Sequence, residues 1–538
     1  YMKQGYVSNE DDHESTSKTV EYAYDDWCIS EFAAQIGATK ISEQYRKRAL
    51  NYRNLFDPRV KHIRGKVQGF WYSPFDATEV NNFFTEGNSW HYSFTAQQDI
   101  DGLKKLYGGQ AGFAKQLNEL FTTQRKLSGR DQSDVTGLVG QYAHGNEPSH
   151  HMAYLFNYAG QPWRTQEIVH KICTEFYPNN PDGLIGNEDC GQMSAWLVLS
   201  AMGFYPVTPG SDVYALGTPL FDKIDISLEN GKHIYIKAKN HSQGNFYVES
   251  MQLNGKDHPA SFLRHSDLAN GAEILFNMSD KPALKRGTKE ANMPHSKVAD
   301  EDFVAVPYFD MDSYKFKTTA LVKLGHIDPA AKIYYEVKSA HQQVHTFPTY
   351  TKPFSLTKTD TVFAWAMKNG ISSPRIYRVF YKVPANISID VKSKVHPMYT
   401  AGGKDALIDG IMGNENWKTG DWQSYYDQDF KAVIDLHTVR PVKYVGVHVL
   451  QEVSPWIVYP QELIVETSND GKTYQFLTVI KNQVGTDVKG PVHQVLGEYV
   501  NTKTRYLRFI ALTGGALPGW HESAGSASHV FIDEVIVK

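Results

Sequence analysis

The sequence predicts a multidomain protein in which one helical region is followed by β-domains. Apolar residues recur at three- and four-residue spacing through residues 1–220, which is typical of amphipathic helices. From about residue 221 the apolar period changes to two, which indicates strands. A chain of 538 residues is also too long for one hydrophobic core, so three or four domains are expected.

The helical region, residues 1–220, is expected to form a barrel or bundle with long Gly-rich loops on one side. Helices are predicted at residues 17–37, 42–54, 93–107, 110–122, 149–159, 162–176 and 191–203. The last is apolar on nearly all sides, so it should be buried. Loops on a rigid scaffold are where catalytic residues are usually held, so this loop face is the expected functional site.

The rest of the chain is predicted to be mostly β-structure. Residues 221–285 contain strands at 224–228 and 233–237 that flank the turn ENGK (229–232), which predicts a hairpin. Residues 286–305 are polar and weakly patterned, so they are expected to be a linker. Short strands at 332–337, 361–366 and 375–380 predict a small β-sandwich over residues 306–385. A second β-domain is predicted over residues 386–538, with strands at 432–436, 444–449, 462–467 and 505–510.

Composition excludes several functional classes. The net charge of −4 leaves no basic face for nucleic acid, and no run of 18 apolar residues could span a membrane. Cys28, Cys173 and Cys190 form neither a disulfide framework nor a CxxC metal site, so buried free thiols are expected. Aromatic residues make up 13% of the chain, which mildly favours a carbohydrate ligand. The first residues, YMKQG, are neither a start methionine nor a signal peptide, so we expect the chain to begin within a longer protein.

Three loops concentrate carboxylate, amide and imidazole groups: GNEPSHH (145–151), GNEDCGQ (186–192) and TEGNSW (85–90). Their acidic residues are the minimum required for acid/base hydrolysis of a glycosidic bond. The sequence contains no GxSxG motif, no P-loop and no Rossmann fingerprint in the right context, which excludes the corresponding hydrolase, kinase and dehydrogenase mechanisms.

Each acidic residue also has a structural explanation. Glu147 could favour a helix N-terminus or bind a metal ion or sugar hydroxyls. Asp189 could be an N-cap, a general base, or both. Glu86 could be an exposed loop residue, or a general acid whose pKa is raised by its aromatic neighbours. His150 and His151 are adjacent, so their side chains diverge, and hydrogen-bonded core histidines are predicted rather than a zinc pair.

Several long motifs in order resemble family 92 of the glycoside hydrolases. They lie at residues 21–27, 52–57, 141–151, 186–196 and 203–207, and the resemblance covers about residues 1–280. It implies a calcium-dependent, inverting exo-α-mannosidase with an N-terminal β-sandwich followed by an (α/α)6 barrel. This chain would then start inside the barrel, so an incomplete barrel is expected. The missing sandwich would belong to the same protein, complete the mannose pocket and pair with the strands of 221–280.

The resemblance also implies roles for individual residues. Glu86 would be the general acid and Asp189 the general base, with Asn187 beside it. Asn146 and Glu147 would bind Ca²⁺ or the mannose hydroxyls that it holds. The remaining substrate-binding residues would be His144 and Trp90. Two departures stand out: His91 replaces an expected Gln, and the pair before His144 is Tyr-Ala instead of the His-Glu of α-1,2-specific members, which favours another linkage.

Two further resemblances concern the β-domains. Residues 314–383 resemble the fibronectin-like, chitobiase C-terminal sandwich, usually a spacer. Residues 390–538 resemble the discoidin-like, coagulation-factor type C jelly roll, often a carbohydrate-binding module, in which Asp409 and Glu534 would hold a structural calcium. Trp422, Trp456 and Trp520 are candidate sugar-stacking residues, although buried packing explains each equally well.

Taken together, these features predict the C-terminal part of a bacterial α-mannosidase that acts on mannose-containing glycans and is secreted, periplasmic or on the cell surface. One alternative is a non-catalytic glycan-binding fragment in which only the discoidin-like module functions. Another is an inverting glucosidase on the same type of barrel.

Overall fold

The computed structural model describes residues 1–67, 69–311, 313–338 and 347–538. Its helices are α1 (Ser15–Gln35), α2 (Thr39–Arg48), α3 (Ser89–Tyr92), α4 (Ile100–Leu106), α5 (Gln110–Thr122), α6 (Leu155–Tyr158), α7 (Pro162–Glu175), α8 (Gln192–Ala201) and α9 (His265–Leu268). Short strands lie between the helices of residues 1–203: β1 (Phe56–Asp57), β2 (His62–Ile63), β3 (Lys66–Val67), β4 (Phe70–Trp71), β5 (Glu79–Val80), β6 (Ser128–Gly129), β7 (Leu138–Val139) and β8 (Tyr142–Ala143). Among the described residues, no helix combines the length and apolar character needed to cross a membrane.

Most predicted helices are found. Helix α5 matches its prediction, and α1 ends just before Gly37, whose positive φ of 75° stops the helix as expected. The predicted helix at 149–159 is instead broken into two 3₁₀ turns and the short α6. Here the imidazole nitrogens of His150 and His151 lie 2.9 Å from the carbonyl oxygens of His144 and Phe94, contacts that fix each turn to a different segment.

Helix α8 differs from its prediction. Met193 and Trp196 are buried as expected, but Val198 is 58% exposed, so only one face of the helix is covered. The buried face packs on the aromatic residues Tyr177 and Tyr205. The apolar composition of α8 therefore predicted burial on all sides, but packing covers only one face of the helix. The described helices pack in neighbours such as α1 with α2, and a barrel of helix pairs stays a prediction.

The strands of 204–279 form their own sheets. They are β9 (Phe204–Tyr205), β10 (Val213–Leu216), β11 (Lys223–Ser227), β12 (His233–Lys239), β13 (Tyr247–Leu253), β14 (Lys256–Asp257), β15 (Phe262–Arg264) and β16 (Ala272–Ser279). Five of them form one sheet in the order β11-β12-β16-β13-β14. The hairpin β11–β12 is the predicted one. These strands pair with one another and share a hydrophobic core, and their pairing with the expected N-terminal sandwich stays a prediction.

The next β-domain is joined to the helical region by a shared sheet and core. Its strands are β17 (Tyr308–Phe309), β18 (Lys315–Phe316), β19 (Ala320–Val322), β20 (Leu324–Gly325), β21 (Lys332–Lys338), β22 (Phe354–Leu356), β23 (Asp360–Lys368), β24 (Ile371–Ser372) and β25 (Ile376–Lys382). Strand β17 pairs with β4, so that Phe309 stacks on Phe70 at 5.1 Å. One continuous hydrophobic cluster runs from the helices into this domain. It is therefore not a free spacer.

The connection at 286–305 is packed rather than loose. Val298 is buried, and its N–H donates to Asp99 Oδ1 at 3.2 Å. Asp300 accepts a hydrogen bond from Arg53 at 2.9 Å. The prediction of a mobile linker from polar composition was wrong, because these polar residues form ion pairs with the helical region.

The C-terminal domain is all-β. Its strands are β26 (Ser388–Val391), β27 (Gln423–Tyr426), β28 (Phe430–Gln451), β29 (Glu462–Ser468), β30 (Gln475–Lys481), β31 (Val492–Ala511) and β32 (His529–Val537). Six follow the order β27-β32-β28-β31-β29-β30, and β26 pairs with β28. All four predicted strands fall within β28, β29 and β31. These strands enclose a core separate from that of the preceding domains.

Candidate functional site

Three loops of the helical region meet at very close range. The N–H groups of His144 and Gly145 donate to Gly137 and Thr136 at 3.1 Å, which joins the 145–151 loop to residues 134–137. A methyl group on Gly145 would lie 1.9 Å from Thr136 Oγ1, and one on Gly186 would lie 2.9 Å from the same oxygen. A side chain at either position would collide with the Thr136 hydroxyl, so glycine allows both loops to pack around Thr136. The two Gly-rich motifs of the sequence are thereby brought to one place.

The loop of Glu86 is held by the N-terminus of α1. The N–H groups of Glu14 and Thr16 donate to the carbonyls of Asn82 and Phe83 at 2.7 and 3.1 Å. Thr85 donates its N–H to Ser17 Oγ and its hydroxyl to Glu14 Oε2. The otherwise unpaired N–H groups of a helix start thus fix this loop. Glu86 follows with a positive φ of 46°.

The Glu86 carboxyl lies within a group of negative charges. Its pKa is raised from the ordinary value, first by desolvation and then by the charges of Asp134, Glu147, Glu14 and Asp189. This is the direction predicted from the sequence, although the neighbouring carboxylates contribute as well as the expected apolar surroundings. Glu86 and Asp189, which belong to distant loops, therefore face one region. We call these five acidic residues the acidic cluster.

Asp189 does not cap α8. The Glu188 carboxylate instead accepts hydrogen bonds from the N–H and hydroxyl of Ser194, at 3.0 and 2.9 Å. Asp189, Cys190 and Gly191 all have positive φ, at 52°, 55° and 93°. Such backbone conformations are unfavourable for residues other than glycine and are concentrated at functional sites. The N-cap explanation for Asp189 is therefore wrong, and its side chain is left for another role.

Amide side chains connect the loops of the acidic cluster. Asn146 donates its side-chain N–H to the Glu86 carbonyl at 2.8 Å, so it ties the 145–151 loop to the Glu86 loop. Asn187 donates to Asp134 Oδ1 at 3.1 Å. Glu147 lies at the surface as the first residue of a 3₁₀ turn. These contacts place Asn146, Glu147, Asn187, Glu86 and Asp189 on neighbouring loops, and their predicted roles stay predictions.

Comparison with known proteins agrees with this geometry. Residues 1–280, more than half of the chain, match the model of the glycosyl hydrolase family 92 catalytic domain. The chain belongs to glycosyl hydrolase family 92. Residues 389–530 match the F5/8 type C domain, so the C-terminal domain is a discoidin-like module.

This chain covers only part of the length of its solved and curated relatives. A family 92 α-mannosidase of Bacteroides thetaiotaomicron, solved with mannoimidazole, is 40% identical over 55% of this chain and 40% of its own, with a TM-score of 0.53. A family 92 inverting mannosidase of the same organism is 39% identical over 55% and 42%, with a TM-score of 0.51. An "uncharacterized secreted glycosidase" of Arthroderma benhamiae is 26% identical over 52% of this chain and 38% of its own. The chain thus spans about two fifths of the length of these relatives.

Two residues expected to contact substrate lie in the core of this family 92 chain. His144 is fully buried, and its two ring nitrogens are 2.8 and 2.7 Å from the hydroxyls of Tyr142 and Tyr177. Burial lowers the pKa of His144 to about 2, so it is neutral. Trp90 is 4% exposed and packs edge-on against His62 at 4.5 Å. Neither side chain is free for a sugar, because both are enclosed by other side chains, and the geometry does not favour these two assignments.

The remaining histidines of the motifs are structural. His91 Nδ1 accepts from Asn88 N–H at 3.2 Å, and its Nε2 lies 2.9 Å from the Gln141 carbonyl. The residue that replaces the expected Gln therefore anchors the Glu86 loop. His150 and His151 are buried and hydrogen-bonded, which confirms the prediction. The three cysteines are free, as predicted, but only Cys173 is buried: Cys28 is half-buried and Cys190 is exposed.

The donor chemistry near Glu86 fits calcium. Among the described residues no group of three or more His, Cys, Asp or Glu side chains is close enough to hold a metal ion by itself. Ca²⁺ accepts six to eight oxygen ligands, however, including amide oxygens and water. The side-chain N–H of Asn146 is used toward Glu86, which leaves its oxygen as a possible donor beside the Glu147 carboxylate.

A calcium ion fits less well at Asp409 and Glu534 of the discoidin-like module. The Lys315 ammonium, which comes from the preceding β-domain, pairs with Asp409, whose side chain is 2% exposed. Glu534 Oε1 accepts from Gly410 N–H at 3.1 Å, and burial raises the pKa of Glu534 to about 9. A protein cation already neutralises Asp409, and a protonated carboxyl group is a poor metal ligand. The expected structural calcium is therefore not favoured here.

The three candidate stacking tryptophans differ in exposure. Trp422 is 1% exposed and belongs to the module's core, so it is not available to a sugar. Trp456 packs on Val453, Val458 and Leu517. Trp520 is 58% exposed, so it alone of the three presents an open face.

Sequence reasoning missed three residues of the site. Glu14 and Asp134 belong to the acidic cluster, and Thr136 fills the space between the two glycine loops. Glu14 lies in a run of acids, and Asp134 lies in a polar loop, so neither stood out by spacing. A cavity of ≈ 450 Å³ between the helical region and the β17–β25 domain is lined by none of these residues.

Proposed function

We propose that the chain is the catalytic region of a calcium-dependent, inverting exo-α-mannosidase that acts on mannose-rich glycans. The observation that supports this most directly is the raised pKa of Glu86 within charge range of Asp189. Two carboxyl groups in one site, one to donate a proton and one to accept one, are what an inverting glycosidase requires.

Glu86 is assigned as the general acid. Its proton would pass to the glycosidic oxygen as the bond between that oxygen and the anomeric carbon breaks. Asp189 would take a proton from water as the water oxygen bonds to the opposite face of the same carbon, which inverts its configuration. This scheme requires about 6.5–9.5 Å between the carboxyl groups so that water fits between them.

Asn146 and Glu147 are assigned to calcium and to the sugar hydroxyls. A bound Ca²⁺ would supply an electrostatic hold on neighbouring hydroxyls of the mannose ring. Asn146 would also keep that position fixed relative to the acid, because the same side chain donates to the Glu86 carbonyl.

The relatives support the substrate class. Two solved family 92 proteins are described as mannosidases, one of them inverting, and the curated relative is called secreted. We therefore extend to this chain an α-mannoside substrate, inversion and a location outside the cytoplasm. A linkage other than α-1,2 remains part of the proposal, since Tyr142 and Ala143 precede His144.

The test compares Glu86→Gln and Asp189→Asn with Glu119→Gln, a control on the exposed face of α5. Both site variants should lose hydrolysis of an unactivated mannobiose by about 10²–10⁴-fold. Glu86→Gln should lose much less on 2,4-dinitrophenyl α-mannoside, whose leaving group needs no proton. Near-normal rates on mannobiose would refute the assignment, and release of glucose rather than mannose would favour a glucosidase. NMR of the first product anomer tests inversion.

A second candidate function is glycan binding by the discoidin-like module alone. The match of 389–530 and the open face of Trp520 favour it. Calorimetry of the full chain with mannose and galactose, with Trp520→Ala as comparison, would detect such binding. If the chain binds sugar but Glu86→Gln and the parent are equally inactive, binding is its function.

A further inference from the structure

The discoidin-like module touches the segment that leads into the acidic cluster. Asn9 donates its side-chain N–H to the Lys418 carbonyl at 3.3 Å. Desolvation and then the positive charge of Lys418 lower the pKa of His13, which directly precedes Glu14. One rim of the module therefore contacts the segment that leads into the acidic cluster.

A cavity is lined by the loop that carries Asp134 of the acidic cluster. It has a volume of ≈ 420 Å³ and is lined by Val80, residues 127–133 and Val135. Asp134 belongs to this loop and accepts from Gln132 at 2.6 Å, so the loop that lines the cavity also supplies a carboxylate to the acidic cluster. Strands β5 and β6 pair in parallel beside it, which joins the loop to the segment before Glu86.

Arg130 of this loop has an unused donor. Its backbone N–H donates to the Val80 carbonyl at 3.0 Å, but its side-chain Nε is buried and has no hydrogen-bond partner among the described residues. A buried donor without a partner is costly, which indicates a missing acceptor. Burial raises the pKa of Tyr399 in the module, and the positive charge of Arg130 partly offsets this rise, so the two side chains are within electrostatic range of each other.

Tyr399 belongs to an aromatic group on the rim of the module. Its ring is 5.7 Å from Trp417 in an edge-on arrangement, and Trp417 donates its indole N–H to Glu452 at 2.6 Å. Tyr399 is half-buried, so part of its ring is accessible. Trp417 immediately precedes Lys418, so the aromatic rim and the contact with Asn9 are one surface.

We propose that the 127–135 loop and the Tyr399–Trp417 rim form one leaving-group subsite, which binds the sugar units beyond the mannose cleaved at Glu86. This rests on the proposed mannosidase function and adds its specificity: the substrate would be an oligosaccharide long enough to reach the module. Arg130 would donate to sugar hydroxyls and Tyr399 would pack on a ring. Asp131 and Asp134 follow Arg130 in the same loop, so their charges favour a neutral hexose over an anionic group.

The test measures kinetics of the full-length chain on two substrates. 2,4-Dinitrophenyl α-mannoside has no sugar on the leaving-group side, whereas a mannopentaose of the linkage hydrolysed fills the subsite. Tyr399→Ala and Arg130→Met should lower kcat/KM on mannopentaose at least tenfold more than on the aryl mannoside, chiefly through KM. Tyr399→Phe, which keeps the ring, should retain most of the mannopentaose rate. Tyr499→Ala, on an exposed part of β31 away from the rim, should affect neither substrate.

Other outcomes have defined meanings. Equal losses on both substrates, or none on either, would overturn the subsite, and circular dichroism of each variant excludes unfolding as the cause. If no mannoside is hydrolysed, the proposed function fails. Binding of mannopentaose measured by calorimetry, in the parent and in Tyr399→Ala, then decides the subsite separately. A tenfold weaker affinity in the variant would support it, and an unchanged affinity would refute it.

Discussion

Replacing Lys315 by Met tests whether a protein cation joins the two C-terminal domains. Lys315 belongs to β18, which pairs with β25, and its ammonium pairs with Asp409 across the domain boundary. The side chains are 24% and 2% exposed, so the pair is largely buried. The variant leaves Asp409 near Asp533 and Glu534 without that cation.

The expected cost follows from burial. Removing one partner of a buried ion pair costs about 3–5 kcal/mol, and the partial exposure of Lys315 places it at the lower end, about 3 kcal/mol. For a cooperatively unfolding unit of roughly 200 residues, this loss of stability lowers the Tm by about 6–12 °C. Lys317→Met is the matched control: its pair with Asp405, at 3.3 Å, is 50% and 58% exposed, so the cost should stay below about 1 kcal/mol.

Differential scanning calorimetry of the full chain measures both variants. At pH 5 the deficit of Lys315→Met should shrink, because burial raises the pKa of Asp409 and a protonated Asp409 needs no cation. Calcium should stabilise Lys315→Met more than the parent, because the variant leaves Asp409, Asp533 and Glu534 without a protein cation. Equal Tm values for the two lysine variants would refute the reasoning. An equal rise in Tm on adding calcium to the parent would show that Asp409, Asp533 and Glu534 bind the metal ion even when Lys315 is present.

Three further predictions address the site and the core. Removing calcium with a chelator should abolish mannoside hydrolysis, and Ca²⁺ but not Mg²⁺ should restore it; activity that survives exhaustive chelation argues against the ion. Gly145→Ala should lower kcat/KM at least tenfold through the 1.9 Å approach to Thr136 Oγ1, and Thr136→Ala in the same chain should restore part of it, which a double-mutant cycle would measure. Lys66 is buried between the rings of Tyr6 and Trp71, and burial lowers its pKa from 10.5 to about 7. Between these two pH values the unfolded chain binds more protons than the folded chain. The stability of the parent therefore rises as the pH rises from about 7 to 10.5. Lys66→Met should therefore raise the Tm most at or below pH 7 and less at pH 9; a gain independent of pH would contradict this.

Local patterns predicted the elements well where their causes are local. Helix α5 and the hairpin β11–β12 follow from apolar spacing and a turn signal that act within a few residues. The same reasoning failed at 149–159, where His150 and His151 bond to distant carbonyls. It also failed at 286–305, where polar residues that looked like a linker form partly buried ion pairs with the helical region.

The sequence by itself determined which loops hold the candidate site, because carboxylates, amides and glycines were concentrated in three short motifs and matched a known family. It named Glu86, Asp189 and Asn146 without showing why they converge. Their meeting depends on contacts between residues far apart in the chain, such as the close approach of Gly145 and Gly186 around Thr136.

Tertiary structure alone decided what surrounds those residues. Burial excluded His144 and Trp90 as free ligands, since exposure depends on which side chains pack above them. The lysine that pairs with Asp409 comes from another domain, 94 positions earlier in the chain. Electrostatic fields and packing act through space, so no pattern along the chain could show these neighbours.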